Sequence, residues 1–156
     1  MRLRGPSLPG AKKRGLIKEK IMITSVVLEW FNCSCHCADD LSRSKIAIYK
    51  NGRRIVYEEY DGWDNVLRRQ EGVFSKNSGS SFFSLLEEKN AKMTRKLDYR
   101  VEVCDGSCWS LRVRHSTNKI QTIQGTVKLP PCGRQIERAM RGLCNEAGVV
   151  SPILFV

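Results

Sequence analysis

The strongest constraint on the fold is a segment at residues 45–58, in which two alternating apolar stretches flank Asn51-Gly52. Asn-Gly accepts the positive φ angles of a two-residue type I′ turn, which joins neighbouring antiparallel strands. Such a turn fixes the register of the hairpin and places the apolar side chains on one face. The expected cross-strand pairs are Lys50 with Arg53, Ile48 with Ile55, and Ile46 with Tyr57.

Periodicity predicts the elements on either side of this hairpin. Alternating and β-branched residues predict strands at 23–31 and 66–74, with a turn at 61–65 between the hairpin and the second of these strands. Residues 75–81 are rich in Ser, Gly and Asn and are expected to form a loop that caps a helix. The predicted buried stripe of that helix contains Phe82, Phe83, Leu85 and Leu86, and the charged residues 87–96 are expected to form a linker.

The second half of the sequence predicts a meander followed by a helix. Two half-buried strands are expected around a turn at residues 105–107, and a third at 119–127 ends before Pro130-Pro131. The last helix, at 133–146, has one apolar face. The inward residues are Tyr99, Val101 and Val103, then Trp109, Leu111 and Val113, and in the helix Ile136, Met140 and Leu143. The order predicts an α+β fold, an antiparallel sheet of about six strands with two helices on one face.

Residues 1–21 have no helical or strand periodicity, and two interpretations of them stay open. Lys18-Glu19 can be encoded as a ribosome-binding sequence, with a bacterial start codon at Met22. Alternatively, the segment is a disordered basic arm. Seven of the 27 basic and one of the 16 acidic residues lie there, so residues 22–156 have a net charge of +5. We expect 22–156 to form a single domain.

The seven cysteines are expected to be free thiols. Their number is odd, and neither an export signal nor an apolar segment of membrane-spanning length accompanies them. The sequence therefore predicts a soluble, cytoplasmic protein. The alternative is a zinc site at Cys33, Cys35 and Cys37, but the usual pair of Cys-x₂-Cys knuckles is missing, and an extended segment would point His36 away from these thiols.

Catalysis is not predicted. The chain contains neither a P-loop nor a Gly-rich dinucleotide turn, and it has neither a nucleophile elbow nor a zinc-protease motif. Of its two histidines, His36 and His115, the second continues the inward phase of a strand and is expected near the edge of the core.

The arginines give the best functional signal. One set, Arg134, Arg138 and Arg141, forms a stripe along the last helix, and another, Arg100, Arg112 and Arg114, faces outward from the predicted meander. Tyr49 and Arg54 would join the second set if the hairpin belongs to the same sheet. Guanidinium groups on an open sheet can bind phosphates, and an aromatic ring can stack on bases, which together favour a nucleic acid. A basic face can equally bind an acidic protein. Interspersed glutamates and the modest charge leave an ordinary solvated surface as a further alternative.

Several segments together resemble small uncharacterised domains of bacteria and their mobile elements. The resemblance covers roughly residues 22–146, and it implies an α+β fold in a bacterial or phage setting without an activity. The segments that carry it are the opening strand, Ile48-Tyr-Lys-Asn-Gly-Arg-Arg-Ile-Val-Tyr57, Tyr60-Asp-Gly-Trp63, Phe82-Phe-Ser-Leu-Leu86 and Tyr99-Arg-Val-Glu-Val-Cys-Asp-Gly106. We therefore predict a non-enzymatic, cofactor-free binding module that engages a protein partner, in one version as an inhibitor of a nucleic-acid-handling protein. The alternative is direct binding of nucleic acid, and no membrane association is expected.

Overall fold

A computed structural model describes residues 22–32, 42–101, 107–126 and 129–150. The predictions for residues 1–21, for Val103, for residues 105 and 106 of the turn, and for the zinc site at Cys33, Cys35 and Cys37 lie outside the described residues. Within them the chain forms seven strands and two helices. They are β1 (Ile23–Asn32), β2 (Arg43–Tyr49), β3 (Arg54–Tyr60), β4 (Val66–Val73), α1 (Lys76–Met93), β5 (Asp98–Tyr99), β6 (Ser107–His115), β7 (Ile120–Gly125) and α2 (Gly133–Ala147).

The strands form one sheet in the order β4-β3-β2-β1-β6-β7-β5, which is antiparallel except for the β5–β7 pair. The predicted α+β class is thereby confirmed. The predicted meander is confirmed for β6 and β7, which pair antiparallel, and is wrong for β5, because β6 pairs with β1 on its other side and β5 lies beyond β7 and parallel to it. Residue Val101, predicted to face inward, is 47% exposed.

The hairpin has the predicted register, with Ile46 opposite Tyr57 and Ile48 opposite Ile55. The predicted type I′ turn is wrong, since the positive φ angles belong to Gly52 (79°) and Arg53 (51°). The left-handed positions thus lie one residue later than expected. The ladder itself closes between Tyr49 and Arg54.

One face of the sheet packs against both helices. Its side chains form the core with Phe82, Phe83 and Leu86 of α1, as predicted, and with the apolar face of α2, whereas Leu85, predicted in the same buried stripe, is only partly buried. The contribution of α2 is also as predicted, namely Ile136, Met140 and Leu143. The opposite face of the sheet carries no helix in the described part of the chain, and we call it the open face.

Helix α1 is longer at both ends than the sequence predicts. Ser75 caps it, because its side-chain oxygen accepts a hydrogen bond from the Ser78 amide at 3.2 Å, so residues 76–81 are helical rather than a loop. Gly79 has a packing role, since a Cβ there would overlap the ring of Phe74. The residues expected to form a charged linker continue this helix as far as Met93.

Candidate binding surface on the open face of the sheet

A single cross-strand row forms the centre of the open face. Pairing places Arg54 beside Tyr49, Tyr49 beside Ser25, and Ser25 beside Arg114. Ile120 of β7 continues the row beyond Arg114. Because side chains opposite one another in a ladder share a face, all five project from the same side of the sheet.

The row is low at its centre and high at its ends. Ser25 is short and 9% exposed. Tyr49, next to it on one side, is 36% exposed, and Ile120, at the far end on the other side, is 50% exposed. Neighbouring strands lie about 4.8 Å apart, so the Cα atoms of Arg54 and Arg114 are separated by roughly 14 Å. Two long arginine side chains therefore flank a depression whose floor is Ser25.

Two adjoining clefts occupy this depression. The larger, of about 480 Å³, is lined by Thr24, Ser25, Tyr49, Asn51, Gly52, Arg54 and Arg114. The smaller, of about 200 Å³, is lined by Ser25, Val27, Tyr49, Arg112, Arg114 and Ile120. Ser25, Tyr49 and Arg114 belong to both clefts, so these three residues are the centre of the candidate site.

The cations of the row differ in their partners. The guanidinium of Arg54 lies over the Tyr49 ring, 5.3 Å from its centre, and its Nε is 3.7 Å from a carboxylate oxygen of Glu71. The side chain of Arg114 forms no ion pair with any residue that the structure describes. Arg114 is therefore the cation in the clefts whose charge is available to a ligand.

An apolar strip runs alongside the row. Val56, Ala47 and Val27 lie opposite one another on β3, β2 and β1, and Arg112 continues this line on β6. Val56 and Ala47 are almost completely buried although they lie on the open face. Val27 lines the smaller cleft and is therefore the residue of this strip that offers an apolar contact to a ligand, beside Arg112.

Carboxylates neutralise the cations farther along the open face. Glu29 bridges Arg43 and Arg112, with distances of 3.2 and 2.7 Å from its oxygens to the two guanidinium groups. The guanidinium of Arg43 also stacks on Tyr60, 4.0 Å from the ring centre. Burial, together with the hydrogen bond that Tyr60 donates to Glu58, raises the pKa of this phenol to about 12. This end of the face is a closed network of internal contacts.

The six predicted arginines do not form one surface. Arg112 and Arg114 lie together in the smaller cleft with the predicted companion Tyr49, and the other companion, Arg54, lines the larger cleft with Tyr49 and Arg114. Arg100 follows β5 at the sheet edge, two strands from β6, where its guanidinium makes a two-pronged contact with Asp98 at 2.7 and 3.0 Å. That contact lowers the pKa of Asp98 to about 2.

The remaining three arginines lie on the helix side of the sheet. Arg134, Arg138 and Arg141 are on the exposed face of α2, opposite its core-facing residues. Arg141 pairs with Glu137 at 2.9 Å. Because α2 packs against the inner face of the sheet, these arginines and the row at Arg114 cannot contact one small ligand together.

The second histidine has the predicted structural role. His115 is 8% exposed, and its Nε2 lies 2.6 Å from the side-chain oxygen of Gln121. Asn90 of α1 donates a longer hydrogen bond to the same oxygen. His115 thus belongs to a polar contact between β6, β7 and α1, away from the clefts.

The cysteines differ from the prediction at one described position. Cys132 and Cys144 are free thiols, as expected, whereas Cys108 is disulfide-bonded. Disulfides persist mainly in oxidising compartments, so this bond weighs against the predicted cytoplasmic location, which is a reducing environment. No group of three or more metal-ligating side chains occurs among residues 22–32, 42–101, 107–126 and 129–150.

Sequence reasoning missed Thr24, Ser25, Val27 and Ile120 as residues that line the clefts. Nothing in the sequence marks a serine in an apolar strand as a binding residue, and only the pairing of β1 with both β2 and β6 places Ser25 between Tyr49 and Arg114. None of the described helices is long and apolar enough to cross a membrane. No protein-family model matches the chain, and no curated protein is significantly similar to it. The resemblance to uncharacterised bacterial domains therefore stays a prediction.

Proposed function

We propose that this protein is a non-enzymatic binding module whose open face holds an acidic, partly apolar segment of a protein partner. The observation that carries the proposal is the cross-strand row in which Tyr49 and Ser25 lie between Arg54 and Arg114. A guanidinium donates two parallel hydrogen bonds to a carboxylate, and the Arg114 guanidinium makes no such contact with a carboxylate that the structure describes.

Two apolar residues in the smaller cleft favour a peptide ligand over a nucleic acid. Val27 and Ile120 line the smaller cleft beside Arg114, where they offer contacts to aliphatic or aromatic side chains. A ligand with one or two carboxylates and a neighbouring apolar side chain would match both features. The phenol of Tyr49 adds a rigid amphipathic surface of the type that is common in protein interfaces.

The distribution of charge also favours a protein partner. Nucleic-acid binding needs a continuous basic surface that neutralises many phosphates. Here Glu29 and Glu71 partly neutralise Arg112 and Arg54, and the arginines of α2 lie on the other side of the sheet. The open face thus has a local cationic site rather than a phosphate-binding stripe.

A comparison of two kinds of ligand tests the proposal. The full chain would be used to select peptides from a displayed random library, and its affinity for a fluorescent single-stranded oligothymidylate would be measured by anisotropy. We expect selected peptides to combine Asp or Glu with apolar residues. We expect the wild-type chain and the double variant Arg54→Ala/Arg114→Ala to bind the oligonucleotide with nearly the same affinity, because the seven basic residues of 1–21 are present in both chains.

Two results would contradict the proposal. One is a library that yields no acidic enrichment over an unselected pool. The other is tight oligonucleotide binding that is lost in Arg54→Ala/Arg114→Ala, which would mean that the open face binds phosphates and that nucleic acid is the ligand.

A further inference from the structure

Strand β4 forms one edge of the sheet, and the inward-facing side chains of Arg68 and Gln70 hydrogen-bond to the main chain of Val150. This strand pairs with β3 on one side, and no strand in the described part of the chain pairs with its other side. Apolar side chains are exposed along it, with Val66 at 52%, Leu67 at 49% and Val73 at 68%. An exposed edge strand of this kind is a template for pairing with another extended chain.

The hydrogen bonds at the end of β4 show which residues face outward. The Phe74 amide donates to the Arg53 carbonyl at 3.0 Å, so Val73 and Arg54 form a pair without mutual hydrogen bonds. The main-chain groups of Val73 therefore point away from β3. By the alternation of an antiparallel ladder, those of Glu71 and Arg69 do so too.

The charges on this edge are arranged symmetrically with opposite sign about Gln70. Arg69 precedes Gln70 and Glu71 follows it, and both side chains lie on the open face, where their charged atoms are 3.0 Å apart. If a second β4 approaches antiparallel with Gln70 on the two-fold axis, Arg69 of each copy lies opposite Glu71 of the other. A shift by two residues in either direction would instead place Glu71 against Glu71 or Arg69 against Arg69, which is unfavourable.

We propose that two copies of this chain associate through antiparallel pairing of their β4 strands, with Gln70 at the centre. The outward main-chain groups of Arg69 and Glu71 would form the new hydrogen bonds, and their side chains would form two ion pairs across the interface. Val73 of each copy would lie near Leu67 of the other. The pairing ends there, because Leu67 is the extra residue of a bulge between Tyr60–Val66 and Glu59–Arg68.

The dimer has a functional consequence. A two-fold axis perpendicular to the sheet joins the two seven-stranded sheets edge to edge and places both open faces on the same side. The clefts around Arg114 in one copy and those around Arg114 in the other copy would then face the same partner. A partner with two acidic segments would bind such a dimer more tightly than it binds a single copy, because the second contact is intramolecular.

Sedimentation velocity of the full chain, from micromolar to submillimolar concentration, tests this pairing. We expect a concentration-dependent dimer. Arg69→Glu places Glu opposite Glu71, and Glu71→Arg places Arg opposite Arg69, so each variant should dimerise at least about tenfold more weakly. An equimolar mixture of the two variants should recover the dimer, because every facing pair then has opposite charges. The double variant R69E/E71R should recover it as well.

Lys119→Glu is the matched control, since it reverses an exposed charge in the β6–β7 turn, far from β4. It should leave the dimer unchanged. Circular dichroism melting of each variant separates loss of pairing from loss of folding, and recovery in the mixture shows directly that both variants fold. A wild-type chain that stays monomeric throughout, a dimer that neither single variant weakens, or a mixture that stays monomeric would overturn the proposal.

Discussion

The guanidinium of Arg54 lies over the ring of Tyr49, with its central carbon 5.3 Å from the ring centre. The two residues are direct neighbours across the last pair of the β2–β3 ladder. This contact holds the Tyr49 side chain against β3 and leaves the space above Ser25 open. The cation–π contact between Arg54 and Tyr49 thus lies at the side of the depression next to the hairpin turn.

Replacing the available cation should weaken binding without changing stability. Arg114→Ala removes a charge-assisted contact to a ligand carboxylate, and we expect at least about tenfold weaker binding of the selected acidic peptides. Arg138→Ala removes an equally exposed arginine from α2 and should leave affinity unchanged. Fluorescence titration measures both affinities, and equal losses in the two variants would mean that only overall charge matters.

Two glycine substitutions should change stability in opposite directions. A Cβ at Gly125 would overlap the Trp109 indole, which stacks on Tyr99, so Gly125→Ala should destabilise the fold by about 1–3 kcal/mol. Gly142 lies within α2, and a Cβ there meets nothing within 4 Å, so Gly142→Ala should stabilise by about 0.5–1 kcal/mol. Urea unfolding gives both values, and a neutral G125A would show that Trp109 moves aside.

The fold should lose stability in acid partly through Asp98. Hydrogen bonds from Arg100 lower the pKa of this carboxyl from 3.8 to about 2, so the folded state favours its ionised form. The ionised Asp98 carboxylate therefore contributes to the stability of the fold above about pH 4, and this contribution is lost as the pH falls toward 2. Asp98→Asn should lower stability at neutral pH and flatten the acid limb of the unfolding curve between these values. Asp64→Asn, which removes an exposed carboxylate at the other end of the sheet, is the control.

The two free thiols among the described residues, Cys132 and Cys144, should differ in reactivity. Burial raises the pKa of Cys144 to about 11, although Arg141 opposes the shift, and the residue is fully buried. Cys132 is partly exposed at the start of α2. Because the thiolate is the reactive form, we expect iodoacetamide to label Cys132 at neutral pH well before Cys144. Peptide mass spectrometry assigns the sites, with Cys132→Ser as the control. Comparable labelling rates would mean that α2 opens from the core.

The sequence predicts those parts of the fold that depend on local periodicity. The alternation of Ile46, Ile48, Ile55 and Tyr57 is sufficient for the hairpin register, because a shift by one residue would expose the whole apolar face. The apolar spacing in α2 is likewise sufficient for its buried face.

Tertiary contacts decide what the sequence does not predict. Gly79 and its serine neighbours favour a loop locally, but the cap at Ser75 and the close approach of Phe74 make them helical. The β5–β7 pairing depends on a long-range parallel contact between Asp98 and Gln124, which no periodicity indicates. The positions of the six arginines also depend on long-range pairing. Arg112 and Arg114 lie on the open face, Arg100 lies at the β5 edge, and the three arginines of α2 lie on the helix side of the sheet.

The most direct test of the central claim is an NMR titration of the isotope-labelled full chain with a selected acidic peptide. We expect the amide shifts to change most at Ser25, Tyr49 and Arg114 and at their neighbours on the open face. The amides around Arg138 on α2 should change little. Changes concentrated on α2, or spread evenly over the basic residues, would contradict a binding site on the open face.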